Sequence, residues 1–168
     1  ALNRTALVNY ERGNYNQVNE VAGRCVKLAE QAGGKLSQAG AQIILAATDF
    51  RTARYSRAIE QAREVLEIAQ SVQDRVLERQ AAGLLGATSS ALGFYPSAVN
   101  WLDQAIQISR DTGARRSEAR FLVEFGEVQR RQGQYQEAID YFTQAYEIAT
   151  ELKAKREQEM ALLDLGLV

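Results

Sequence analysis

Apolar residues in this chain recur at three- and four-residue spacing, over segments such as 54–70 and 134–150. Ala138, Phe142, Ala145 and Tyr146 mark one such stripe, which is the spacing of one helix face. Sustained alternation is missing, and so is any Asn-Gly or Asp-Gly hairpin pair, so strands are not expected. The pattern predicts helices near 15–32, 55–72, 95–111 and 135–152, interleaved with helices near 37–51, 77–91, 116–131 and 157–168. Residues 1–12 read as the remainder of an earlier helix. Pro96, the single proline, falls at the start of a predicted helix, where its missing N–H costs little.

The pattern itself repeats. Tyr15, Tyr55, Tyr95 and Tyr135 stand 40 residues apart. Two residues before them are Gly13, Ala53, Gly93 and Gly133, and three residues after them are Val18, Ala58, Ala98 and Ala138. Leu45, Leu85, Phe125 and Leu165 keep the same period, each followed by Ala46, Gly86, Gly126 or Gly166. Each unit therefore reads as two antiparallel helices. The small residues are expected where the two helices cross, and the tyrosine as a buried wedge whose removal costs about 3–5 kcal/mol.

An apolar residue, a small residue, then Gly-x-Tyr-x-x-Ala resembles the tetratricopeptide repeat. Phe125-Gly126 followed by Gly133-Gln134-Tyr135-Gln136-Glu137-Ala138 carries it best, and Leu85-Gly86 with Gly93 to Ala98 follows. The common unit has about 34 residues; this one resembles the longer, bacterial-looking variant. The resemblance implies an all-α fold, a right-handed superhelical α-solenoid of antiparallel helix pairs with about four repeats. Those repeats fall near 1–36, 37–76, 77–116 and 117–156, with a further helix beginning at 157–168. The family often has an aromatic where this chain has Asp49, Ser89 and Gln129. Arrays of this kind need polar capping helices, so the chain reads as one array, 1–168, cut from a longer protein.

The resemblance also implies where a partner binds, in the groove lined by the first helix of each pair. By register that groove holds Tyr10, Ile43, Phe50, Arg51 and Ala87, then Arg120, Val123, Glu127 and Arg130. The clamp that some family members close on chaperone tails is not expected. Its positions hold Asn3, Leu7, Ile44, Gln80 and Leu84, or one unit later Ile43, Ala47, Leu84, Arg120 and Glu124. Two alternative surfaces stand out. Lys35, Arg75, Arg115 and Lys155 form a basic series, read either as an edge for an acidic partner or an anionic membrane surface, or as cations at helix C-termini. Trp101 and Tyr141 are read either as an exposed aromatic pair or as packing between adjacent second helices.

Composition narrows the chemistry. No histidine is present, which removes the commonest general base and metal ligand. Cys25 stands alone among small core positions and reads as a buried thiol. A formal charge of -1 gives no field for nucleic acid. No apolar run is long enough to span a membrane. No metal site, cofactor motif or catalytic constellation is expected. The expected function is a non-enzymatic scaffold that binds a peptide or helix of another protein. Its expected setting is assembly or maintenance of a multiprotein complex, a photosystem-type membrane complex among them, in the cytoplasm or peripheral on a membrane complex. The competing expectation is a regulatory arm of a larger signalling protein or enzyme. Self-association is expected at the uncapped ends.

Overall fold

The computed structural model describes residues 2–166. Among the described residues there are nine helices: α1(Leu2–Glu11), α2(Tyr15–Gln31), α3(Lys35–Arg51), α4(Tyr55–Ser71), α5(Arg75–Ala91), α6(Tyr95–Asp111), α7(Arg115–Arg131), α8(Tyr135–Glu151) and α9(Lys155–Leu165). Sequence-predicted boundaries fall within two residues of these, except the end of the last helix, expected at 168, which lies outside the described residues. The fold is all-α, a helix-pair repeat of the solenoid type.

One device generates the regularity. Each helix from α2 to α8 has 17 residues, and three residues join each helix to the next. The middle residue of each turn is left-handed: Gly13, Gly33, Gly93, Gly113 and Gly133, but also Ala53, Gln73 and Lys153. The next residue turns its N–H back to a carbonyl five positions earlier, as in Asn14 to Asn9 at 2.9 Å and Gln134 to Gln129 at 2.9 Å. This is the Schellman closure of a helix C-terminus. That same third residue opens the following helix. At Asp74 the side chain caps it, with Oδ1 accepting the N–H groups of Val76 and Leu77 at 3.0 Å. The 40-residue sequence period is thus two structural half-periods with the same turn and different side chains.

The chain forms two compact units, Ala1–Thr88 and Ser89–Val168. In the first, α1 packs on α2 and α3, α2 on α3, and α3 on α4. Its core is rich in alanine: Ala6, Ala22, Ala39, Ala46, Ala58 and Ala62 are fully buried beside Val18 and Val65. In the second, α6 packs on α7, α7 on α8, and α9 on α7 and α8. Its core uses larger side chains, with Leu102, Phe121, Leu122 and Phe142 fully buried. The close approach expected at Gly126 is present. A Cβ placed there would lie 2.6 Å from Cε1 of Phe142.

The tyrosine wedge needs correction. Tyr15, Tyr55 and Tyr95 are only half-buried, and Tyr135 is 57% exposed. Their truncation therefore falls short of the cost expected for a buried ring.

Candidate partner-binding faces

In the first unit, first helices α1 and α3 lie side by side. They place Tyr10, Ile43 and Phe50 half-buried and Arg51 exposed, and Ala87 of α5 is also half-buried. The aromatic residues form a repeated motif. Tyr10 meets Tyr15 with ring centroids 6.1 Å apart, and Phe50 meets Tyr55 at 5.9 Å, both tilted. Five residues separate each pair because the three-residue turn carries the chain from the end of one helix to the start of the next. Arg51 ties two repeats together, its Nε–H donating to the Tyr15 hydroxyl at 3.4 Å. That bond holds the Arg51 pKa above its ordinary value. A cleft of about 460 Å³ opens beside it, lined by Gly13, Asn14, Tyr15, Asn16, Gln17 and Thr52.

The second unit carries the ionic half of the expected set. Glu127 accepts from Arg130 at 2.8 and 2.9 Å and from Arg131 at 2.8 Å. These bonds, Arg130 first, hold its carboxyl below the usual range. The guanidinium of Arg120 lies 4.6 Å from the Phe121 ring centroid, with its Nε 4.0 Å from Glu124 Oε1. Glu124 keeps 31% of its side chain exposed, yet its Oε2 is buried without a hydrogen-bond partner. Burial pushes its pKa up to about 7, against the opposing effect of Arg120. Asp164 of α9 is also raised, by burial and then by the charge of Glu127. Val123 is a correction. It is 6% exposed and belongs to the core, because its register position turns between the packed helices.

The alternative surfaces also change. Lys35, Arg75, Arg115 and Lys155 are the first residues of α3, α5, α7 and α9, so they sit at helix N-termini rather than C-termini. The helix dipole opposes a cation there, and neighbouring acids explain two of them. Arg75 donates to Glu78 at 2.7 Å. Arg115 donates to Glu118 at 2.7 Å and to Glu151 at 3.1 Å. Trp101 and Tyr141 are half-buried, and the Tyr141 ring packs on Phe125 with centroids 4.5 Å apart. That favours packing within the array over an exposed pair.

Buried acids escaped the sequence reading. Asp49, 2% exposed, is held by Arg54 at 2.6 Å and Arg57 at 3.5 Å. Glu118, 3% exposed, joins Arg110 of α6 at 2.8 Å to Arg115. A signal existed. Residues eight apart across the turns between repeats pair as Gln38 with Glu30, Glu118 with Arg110 and Gln158 with Thr150. Among the described residues, no group of three or more His, Cys, Asp or Glu is placed to hold a metal ion, and no helix is long and apolar enough to cross a membrane.

Residues 77–151 match the tetratricopeptide repeat family. No curated protein matches the chain. Solved structures share the fold. The apo form of RapI superposes with a TM-score of 0.83 at 22% identity, over 92% of this chain and 56% of that one. BtubC from P. vanneervenii gives 0.75 at 18% identity, over 91% of this chain and 65% of that one. The chain thus spans less than two thirds of the length of either. A putative kinesin light chain of TPR-like repeats from Podosopora anserina gives 0.72 at 19% identity, over 99% and 86%.

Proposed function

We propose that this chain, whose residues 77–151 are tetratricopeptide repeats and whose remaining described helices continue the same helix-turn unit, is a non-catalytic docking platform for a partner protein. Repeats of this family generally bind proteins, and the fold is typically non-enzymatic. A peptide or helix of the partner lies on the first-helix face of the first unit. Tyr10, Ile43 and Phe50 supply contact area there, Ala87 leaves room, and Arg51 orients an acidic group. In the second unit Arg120, Glu127 and Arg130 set charge preference. The chain then serves assembly or upkeep of a multiprotein complex, in the cytoplasm or at the rim of a membrane complex.

The observation that carries this reading is the pair of tilted aromatic contacts tied by Arg51 to Tyr15. It is a surface of half-exposed rings already fixed in place without a partner, so little ordering cost remains to be met on binding. The test is capture from source-cell extract by the whole chain, beside a Phe50→Asp variant and an Arg130→Glu variant shown to be folded by circular dichroism. A protein captured by the native chain and lost with Phe50→Asp supports the first-unit face. Equal capture by all three removes the function from both faces.

A further inference from the structure

One helix pair departs from the apolar pattern of the repeat. Gln42 of α3 stands where the other first helices hold Ala82, Leu122 and Leu162. Gln61 of α4 stands where the other second helices hold Val21, Trp101 and Tyr141. The fold does not ask for an amide at the first position, since Leu122 is fully buried there in α7. Gln42 is only 8% exposed. Its Nε2 donates to Glu64 Oε2 across the pair, but its Oε1 is buried without a hydrogen-bond partner. The Oε1 of Gln61 is likewise buried and unpartnered.

The two oxygens belong to one interface. Gln61 and Glu64 are one turn apart on α4 and share a face. Tyr141, the counterpart of Gln61, packs on Phe125 of its own first helix with ring centroids 4.5 Å apart. By the 40-residue register Gln61 therefore faces Leu45 of α3, one turn along from Gln42. The three polar side chains converge where α3 packs on α4.

Buried carbonyl oxygens are nearly always answered by a donor, and an orphaned one costs stability. Here two of them stand beside a carboxylate, and what all three lack is positive charge. Among the described residues Glu64 forms no ion pair, and its exposure opens the interface to ions from solvent. Water can donate to two acceptors, but it brings no charge to answer Glu64. Amide and carboxylate oxygens are the ligands that hard cations take. One carboxylate balances one charge. That favours an alkali-metal ion over calcium, whose sites gather several carboxylates, and over magnesium, which demands a near-ideal octahedron. We propose that Gln42 Oε1, Gln61 Oε1 and the Glu64 carboxylate bind a monovalent alkali cation, sodium or potassium, between α3 and α4. Water completes its shell on the Glu64 side. The ion ties together the two helices that carry Phe50 and Tyr55. Two of its three protein ligands are amides, so no cluster of His, Cys, Asp or Glu marks it. The site does not depend on the partner-binding reading.

Urea unfolding of the whole chain tests it. Potassium or sodium chloride is raised from about 0.01 to about 0.5 M, with choline chloride holding total salt at about 0.5 M. The native midpoint is expected to rise with the alkali cation, by mass action on the folded state. Glu64→Gln keeps the shape of an exposed side chain and is expected to shift the response to at least about tenfold higher cation concentration. Gln42→Leu, which introduces the residue that α7 buries at this position, is expected to fold and to lose the response. Glu67→Gln, at an exposed acid one turn further on, is expected to keep it. Thallium(I), a heavy stand-in for potassium, is expected to give an anomalous peak between the two amide oxygens in soaked crystals. A native midpoint indifferent to the exchange of choline for either alkali cation overturns the proposal. So does a response that survives Gln42→Leu, or a water at that position with no thallium signal.

Discussion

Single atoms decide four positions in this chain. At Gly126 an added Cβ meets the Phe142 ring at 2.6 Å, and that ring is fully buried with no route outward. Gly126→Ala is expected to lower stability by about 1–3 kcal/mol, as overpacking does. Urea unfolding reads this, and Phe142→Leu in the same chain should recover part of it. Ala53 and Gln73 hold φ values of 58° and 57°, where a Cβ crowds the backbone. Ala53→Gly should gain about 0.5–1 kcal/mol, the strain relieved less the entropy glycine adds to the unfolded chain. An unchanged urea midpoint would contradict that. Glu124 titrates near 7 in the fold and near 4.5 outside it. A raised carboxyl pKa means that the folded state holds its proton more tightly. The stability this contributes is complete below about 4.5 and is lost as pH rises through about 7. Unfolding midpoints at about pH 5 and about pH 8 should therefore differ more for the native chain than for Glu124→Gln.

Between residue and helix, the informative unit is the three-residue turn with its flanking polar pair. Glu118 links the end of α6, through Arg110, to the start of α7, through Arg115. Both arginines are nearly half exposed, so each can return to water if the acid is removed. Glu118→Ala is accordingly expected to cost only about 1.5 kcal/mol, the low end for a charged hydrogen-bonded group. A double-mutant cycle with Arg110→Ala should return most of that as coupling between the two residues, and additive effects would refute the link. The same element explains two of the four basic residues that open first helices against the dipole. At Arg75 and Arg115 the cost is offset by a carboxylate three residues on, itself well placed near the helix N-terminus.

At the scale of the whole molecule, the helix contacts within each unit, among the described residues, join sequence neighbours or the next first helix. Such an array behaves as a sum of local units and neighbour interfaces, so stability is graded along it. α1 and α9 expose Leu7 at 47%, Leu162 at 51% and Leu163 at 69%. Amide hydrogen exchange should be fastest in α1 and α9 and slowest in α3 and α7. Uniform protection from α1 to α9 would show that the chain unfolds as one cooperative block instead. The contacts are also local in sequence, which favours rapid folding.

What the sequence determined by itself was the part of the fold that repeats. Period, helix limits, the small residue under Phe142 and the buried thiol at Cys25 all follow from patterns that recur every 40 residues, and recurrence averages out local ambiguity. What only the tertiary structure decided was the environment of individual side chains. Register could not tell that Val123 turns inward while Arg120 stays exposed, or that Tyr141 rests on Phe125. Nor could it show that the basic series opens helices, with Arg75 and Arg115 serving buried acids. Asp49 and Glu118 were hidden for the same reason: a charged residue reads as solvated until a second helix brings its arginines to it. Periodicity fixes which face a residue shares with its neighbours along one helix. How deeply that face is covered depends on a neighbouring helix, and that is a property of the packed molecule.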